Sequence, residues 1–322
     1  MKKPLLVIVL LVVSFWYADG VTALTVFSPI VEITAAPGEA PRGIVKVFNE
    51  SDQPVELRSV IEQFTTDDQS GSPRFIALTE SNPFLKWFKL DQDELVLLPR
   101  QVAVIPFTVS VPPNATPGGY FAAIFWEIVP AAGSGDVSIS GRVGTLVFLE
   151  VSGEVVRQGV LESLTRTPSN ALISGFPVSF SVLFNNTGTI HLKPSGSIII
   201  TNSFGQSEIL SVNPDARNVL PDSSRRFDVV WGQPAATGNI LERFWQGVRG
   251  ELSSFRLGQY TVTVTLYGDV SKAMPMTATQ TFWFVPVYLS SIAGGFMLCA
   301  LFLMARRRNK KRKNVLHAPS GK

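Results

Sequence analysis

The chain has 322 residues, 45% of them hydrophobic and 16% charged, and a formal net charge of +3. The charge is uneven: 18 of the 28 basic and 24 of the 25 acidic residues lie between Leu24 and Ala305, so this stretch is acidic and a nucleic-acid partner is disfavoured. The one cysteine, Cys299, lies in an apolar run near the C-terminus, which excludes an internal disulfide framework.

At the N-terminus, Lys2 and Lys3 precede an apolar run from Leu5 to Trp16, and Val21-Thr22-Ala23 offers small residues before Leu24. This is the pattern of a secretory signal peptide over residues 1–23, expected to be cleaved rather than kept as an anchor.

From Leu24 to Val285 apolar and polar residues alternate with the period of two of half-buried strands. Val55, Leu57 and Ile61 oppose Glu56, Arg58 and Glu62. Ile105, Phe107, Val109 and Val111 oppose Thr108 and Ser110. Phe180, Val182 and Phe184 oppose Ser179 and Ser181, and Tyr260, Val262, Val264 and Leu266 oppose Thr261, Thr263 and Thr265. Tyr120–Ile128 is apolar on nearly both faces, as a strand central to a packed sheet would be. Turn residues at Pro37-Gly38, Asn49–Pro54, Asn186–Gly188 and Asn202–Gly205 separate the runs. The expected fold class is all-β: two tandem antiparallel Ig-like β-sandwich domains followed by one transmembrane α-helix.

An internal repeat supports two domains of one architecture. VKVFNESDQPVEL from Val45 is matched by SVLFNNTGTIHL from Ser181, Leu98-Pro99-Arg100 by Leu220-Pro221-Asp222, and Gly118-Gly119-Tyr120 by Gly258-Gln259-Tyr260. The boundary is expected near Ser152-Gly153, between strands at Gly144–Val151 and Val155–Leu164, giving domains at 24–152 and 153–285. Ala131–Gly141 reads as a loop of the first domain.

Two stretches interrupt the strands. Pro83–Phe88 holds Phe84, Trp87 and Phe88, a candidate binding surface for which core burial is the favoured expectation. Between Thr237 and Ser254, Ile240, Leu241, Phe244, Trp245, Val248 and Leu252 recur at helical spacing against Glu242, Arg243, Arg249 and Glu251. This predicts a short helix that either covers one end of the second sandwich or exposes Phe244 and Trp245 to a partner or the bilayer.

Pro286–Ala305 is uncharged, and at about 1.5 Å of rise per residue its length matches a bilayer core of about 30 Å. Trp283 and Tyr288 flank one end as interfacial aromatics, and Arg306, Arg307 and Arg308 begin the basic tail, 306–322. The expected localisation is the cell membrane, single-pass, with the N-terminal ectodomain outside and the tail cytoplasmic, in contact with membrane lipid.

Catalytic signatures are lacking. The histidines are His191 and His317, no Ser lies in G-x-S-x-G, and no H-E-x-x-H occurs. His191 follows a turn and reads as a surface residue. Asp91, Asp93 and Glu94 could open a calcium loop, but that pattern needs Gly and Glu where Val96 and Val102 stand; an acidic turn is expected there, and likewise at Asp67 and Asp68. No enzyme, cofactor, catalytic residue or metal site is expected.

LTVFSPIVEI, PGEAPRGIVKVFNESDQPVEL, LPRQVAVIPFTVSVPPNATPGGYFAAIFW and FPVSFSVLFNNTGTIHLKPSGSIIITNSFG, with the apolar span and basic tail, give the chain its likeness to a family. It resembles the WxL-interacting proteins of bacterial surfaces. The resemblance implies a signal peptide, two β-sandwich domains, one C-terminal span and a Lys/Arg-rich tail, with a peptidoglycan-binding first domain and a host-binding second domain. The turn Asn49–Pro54 is also similar to an N-x-S-D-x-P turn of pilus chaperones, which are soluble and untethered. The function expected is a membrane-anchored, non-enzymatic surface protein that binds cell-wall polymer or other surface proteins. The alternative is an envelope chaperone or assembly factor that pairs its strand edges with secreted subunits.

Overall fold

The computed structural model describes residues 23–66, 68–76, 83–129, 141–233, 239–253, 256–268 and 274–316. All but the last residue of the expected signal peptide and of the 131–141 loop, together with Asp67 and His317, lie outside them. The chain divides into two compact units. One runs up to Gln158 and includes Asn186–Leu192 and Val219–Ser223; the other holds Gly159–Asn185, Lys193–Asn218 and everything from Ser224.

Among the described residues the first unit contains ten strands: β1 (Leu24–Val26), β2 (Ile30–Ala35), β3 (Arg42–Asn49), β4 (Val55–Thr66), β5 (Pro73–Ile76), β6 (Phe88–Leu90), β7 (Glu94–Leu97), β8 (Val102–Val109), β9 (Gly118–Ile128) and β10 (Arg142–Val151). They form a four-stranded sheet in the order β1-β3-β8-β6 and a larger one in the order β2-β10-β9-β4-β5, with β7 also on β4. Pairing is antiparallel except for β2, which runs parallel to β10 from Ile30↔Leu146 to Ala35↔Val151.

The two sheets pack face to face. Val45, Val47, Ile105, Phe107 and Val109 from one and Leu57, Ala122, Ile124, Trp126, Val147 and Leu149 from the other share one buried core. The β9 strand is apolar on both faces for the reason its sequence suggested. Its outward Phe121 and Phe125 join Phe64 and Phe148 in a second apolar cluster on the far side of the larger sheet. Pro83–Trp87 forms a 3-10 turn with Phe84 buried, and Phe88 is buried just after it. Trp87 lies 4.9 Å from the Tyr120 ring, so this aromatic group is core.

The second unit contains β11 (Gly159–Thr167), β12 (Leu172–Ile173), β13 (Val178–Asn186), β14 (Ser195–Asn202), β15 (Ser207–Ser211), β16 (Ser223–Trp231), β17 (Gly258–Tyr267) and β18 (Met276–Phe284), with helices α1 (Ile240–Ser253) and α2 (Val287–Leu316). Its sheets run β11-β13-β16 and β12-β18-β17-β14-β15. Trp231 of β16 meets Tyr260 of β17 and Phe282 and Phe284 of β18, joining the sheets through aromatic edges. The strand expected from Val155 begins only at Gly159, although Gln158 and Val156 accept the backbone N–H groups of Thr187 and Thr189. Just two residues separate β18 from α2, and α2 does not stop at Ala305: it continues through the basic cluster to Leu316.

Candidate functional site

Two surfaces stand out, one in each unit. In the first unit, β3 and β8 alternate strictly, so one side chain in two points away from the core. Register puts Phe48 opposite Val102, Lys46 opposite Val104, Ile44 opposite Pro106 and Arg42 opposite Thr108. Phe27, just past β1, donates its N–H to the Lys46 carbonyl and lays its ring 6.0 Å from that of Phe48. The result is an apolar strip on the open sheet face: Phe27 is 56% exposed, Ile44 49%, Val102 45% and Val104 54%. Arg42, Lys46 and Lys89 stand among these residues, all exposed. The sequence reading missed this strip, although Val102–Phe107 is apolar at nearly every position, the pattern noticed at Tyr120–Ile128.

The same unit has an open strand edge. β10 pairs with β9 along its whole length but with β2 only from Leu146 onward. Thr145 reaches across through its hydroxyl to the Ser28 carbonyl at 2.9 Å. Along Arg142–Gly144 no strand lies on the outer side among the described residues. Arg142 holds this end in place: it donates to Glu62 at 2.9 Å and covers the Phe125 ring at 4.0 Å.

In the second unit, the helix expected between Thr237 and Ser254 is α1. Its start is a reciprocal cap: Asn239 Oδ1 accepts from the Glu242 N–H at 2.9 Å, and Glu242 Oε2 accepts from the Asn239 N–H at 3.2 Å. Its far end grips α2. Glu251 Oε1 accepts from the Tyr288 N–H at 3.1 Å and Oε2 from the Leu289 N–H at 2.7 Å. The first turn of α2 has unpaired N–H groups and the positive end of the helix dipole, so a carboxylate there satisfies both. The Tyr288 ring packs 5.7 Å from that of Phe244. It also lies against Gly247, where an added Cβ would come within 2.3 Å of it.

Phe244 and Trp245 therefore differ. Phe244 is half-buried against Tyr288, while Trp245 is 53% exposed. Trp283 is exposed on β18, and Tyr288 is half-buried in the first turn of α2. Arg306 and Arg307 are exposed on α2, and Arg308 lies in the same helix. The stretch Val287–Arg307 is 21 residues long and apolar enough to cross a membrane, and none of its residues is fully buried in the rest of the chain.

The remaining candidates are less distinctive. His191 is half-buried rather than a surface residue, edge-on to Phe148 at 5.1 Å and Phe121 at 6.0 Å. Asp91, Asp93 and Glu94 are exposed. Asp68 accepts from the Ser70 hydroxyl and backbone N–H, and the hydroxyl bond holds its carboxyl below the usual range. Among the described residues no group of three or more His, Cys, Asp and Glu is arranged to hold a metal. One open cleft of about 260 Å³ is lined by Arg166, Ser169, Gln280 and Thr281. Arg166 is turned toward the Phe282 ring and the Ser169 carbonyl.

No protein-family model matches the chain, and no curated protein sequence does. Among solved structures, it is similar to the class 5 fimbriae chaperone CfaA, with a TM-score of 0.39 and 11% identity over 82% of this chain and 100% of that one. It is also similar to the Pseudomonas aeruginosa CupB2 chaperone, with a TM-score of 0.35 and 16% identity over 80% of this chain and 99% of that one. The E. coli chaperone DraB gives a TM-score of 0.35 and 14% identity over 81% of this chain and 97% of that one.

Proposed function

We propose that this chain is a membrane-tethered, non-enzymatic envelope protein that binds other envelope proteins through its first unit. The observation that carries the reading is the strip of Phe27, Ile44, Val102 and Val104 on the open β1-β3-β8 face. Apolar residues clustered on a solvated sheet face, with basic residues among them, mark an interaction surface. A partly apolar partner with acidic groups fits this face better than a polar glycan strand does. α2 supplies the tether: an apolar, unburied helix of membrane-spanning length that runs on into a basic cluster. In this reading the ectodomain lies outside the cell, as the resemblance to WxL-interacting proteins also implies.

A second reading is favoured by the outer edge of β10 at Arg142–Gly144. Backbone there that no strand flanks among the described residues is a template on which an extended segment of an exported subunit could add as a strand, the act of a chaperone or assembly factor.

A photo-crosslinking residue placed at Val104 or at Val143, in the full chain in native envelopes, separates the readings. Capture of one discrete protein from Val104 supports face binding. Capture from Val143 with none from Val104 replaces it with strand addition. If neither position captures a protein, the binding proposal fails.

A further inference from the structure

The exposed side of α1 has the character of a membrane-seeking surface. Leu241, Trp245, Val248 and Leu252 recur at intervals of four, three and four residues, which at about 100° per residue line up as one stripe. Val248, in the middle, is buried, whereas Leu241, Trp245 and Leu252 are between 53% and 67% exposed. Arg243 and Gln246, both exposed, lie toward the opposite side, and Glu242 and Arg249 flank the stripe. The stripe is thus the apolar side of an amphipathic helix, buried by the chain at Val248 and left exposed at Leu241, Trp245 and Leu252.

The attachment of α1 identifies what covers it. Glu251 accepts from the backbone N–H groups of Tyr288 and Leu289, the second and third residues of α2, and Phe244 and Gly247 pack on Tyr288, so α1 is fixed at the level where α2 begins. Exposed Trp283 and Val287 lie beside that junction in sequence. Whatever medium α2 enters at Val287, α1 borders it.

We propose that α1 is an interfacial helix that lays Leu241, Trp245 and Leu252 into the headgroup–acyl boundary of the bilayer that α2 enters. This rests on the tether reading given above. A Leu/Trp face sinks about 5–10 Å into that boundary while its charged face stays in water. With Glu251 as a clamp, the helix would fix the angle at which α2 leaves the second unit, beyond what two connecting residues can do.

The test uses the full chain carrying Cys299→Ala, reconstituted in phosphatidylcholine–phosphatidylglycerol vesicles. An environment-sensitive fluorophore is attached at Leu241→Cys, at Leu252→Cys or, on the polar side, at Gln246→Cys. All three positions are exposed, so the changes remove no core contact. Lipid-borne nitroxides at a shallow acyl position should quench the labels at 241 and 252 at least about twofold more than the label at 246. A second readout needs no cysteine: in a Trp283→Phe chain, brominated acyl chains should quench part of the tryptophan emission, and adding Trp245→Phe should abolish that part.

Extraction in alkaline carbonate tells the two failures apart. If the chain resists extraction but the labels at 241 and 252 are no more quenched than that at 246, the interfacial helix is overturned and the tether stands. Shielding of those labels from water without lipid quenching, as when a second protein covers the stripe, overturns it too. Release of the chain by carbonate overturns both.

Discussion

Asn49 and Asn186 do the same work in two different turns. Asn49 Nδ2 donates to the carbonyls of Gln53, Leu97 and Leu98 at 2.8, 3.2 and 3.1 Å; Asn186 Nδ2 donates to those of Ile190 and Val219 at 2.8 and 2.9 Å. Each Oδ1 accepts from a backbone N–H two residues on, that of Ser51 or Gly188. Both side chains are wholly buried. The segments they reach lead to Arg100 and Asp222, each in the left-handed region at φ 59° and 52°.

Replacing either with Ala should deprive two or three carbonyls of this donor, at least one of them buried, costing about 1–3 kcal/mol. Asn185→Ala should cost less, since Asn185 donates only to the exposed Glu162 carboxylate at 3.0 Å. Urea unfolding of the detergent-solubilised full chain, followed by tryptophan emission, checks the order. Equal midpoints for Asn185→Ala and Asn186→Ala would refute it.

These residues also show how far the sequence can be read. The repeat was visible in the strand ending Phe-Asn, in Leu-Pro and in Gly-x-Tyr, and β9 and β17 do begin at Gly118 and Gly258. Matching Phe48-Asn49 to Phe184-Asn185, however, puts the repeat one residue out of register, because two asparagines stand in a row and only burial tells them apart. Alternation located the buried sides of β8, β13 and β17 correctly. It could not reveal the outward strip of Ile44, Val102 and Val104, because β-branched side chains suit a strand on either face. His191 was misjudged because a turn position says nothing of the Phe121 and Phe148 rings that meet it. The spacing of α1 was legible, yet its separation of half-buried Phe244 from exposed Trp245 depends on Tyr288, more than forty residues away.

Gly43 is a packing glycine. A Cβ there would come within 2.2 Å of Cζ of Phe107, whose ring is wholly buried and lies across the glycine. Gly43→Ala should therefore destabilise by about 1–3 kcal/mol through overpacking. Gly175→Ala meets nothing within 4 Å and should leave the unfolding midpoint unchanged or slightly raised. Comparing the two melts of the full chain tests whether crowding, rather than glycine itself, sets the cost.

Two phenols should make the fold alkali-sensitive. Burial pushes both Tyr120 and Tyr260 above the ordinary phenol range, against smaller opposing effects of the Thr116 side chain on Tyr120 and of the Asn202 side chain on Tyr260. The Tyr120 hydroxyl donates to the Thr116 carbonyl at 2.9 Å, a bond the phenolate cannot make. The unfolded chain loses these protons first, at about pH 10, while the folded chain still holds them. Their stabilising contribution is therefore full below about pH 10 and declines as pH rises from there through the folded pKa values. Unfolding midpoints measured between neutral pH and pH 11 should fall with pH, and the Tyr120→Phe, Tyr260→Phe double variant should flatten that fall. An unchanged slope in the double variant would rule these phenols out as its source.

The Glu251 clamp should be measurable one amide at a time. Its two oxygens take the Tyr288 and Leu289 N–H groups at the start of α2, where a negative charge also meets the positive end of the helix dipole. Glu251→Gln keeps one acceptor oxygen but loses the second and the charge. At about 1 kcal/mol, this should speed hydrogen exchange at Tyr288 and Leu289 roughly fivefold. Amides within β17 and β18 should be unaffected, because their ladder bonds do not involve the clamp. Glu242→Gln makes the contrast at the other end of α1: it retains the oxygen that accepts from Asn239, so exchange at the start of α2 should stay as it was. Faster exchange throughout the second unit in Glu251→Gln would mean that Glu251 supports the whole fold, whereas a rise confined to Tyr288 and Leu289 identifies it as the joint between the two helices.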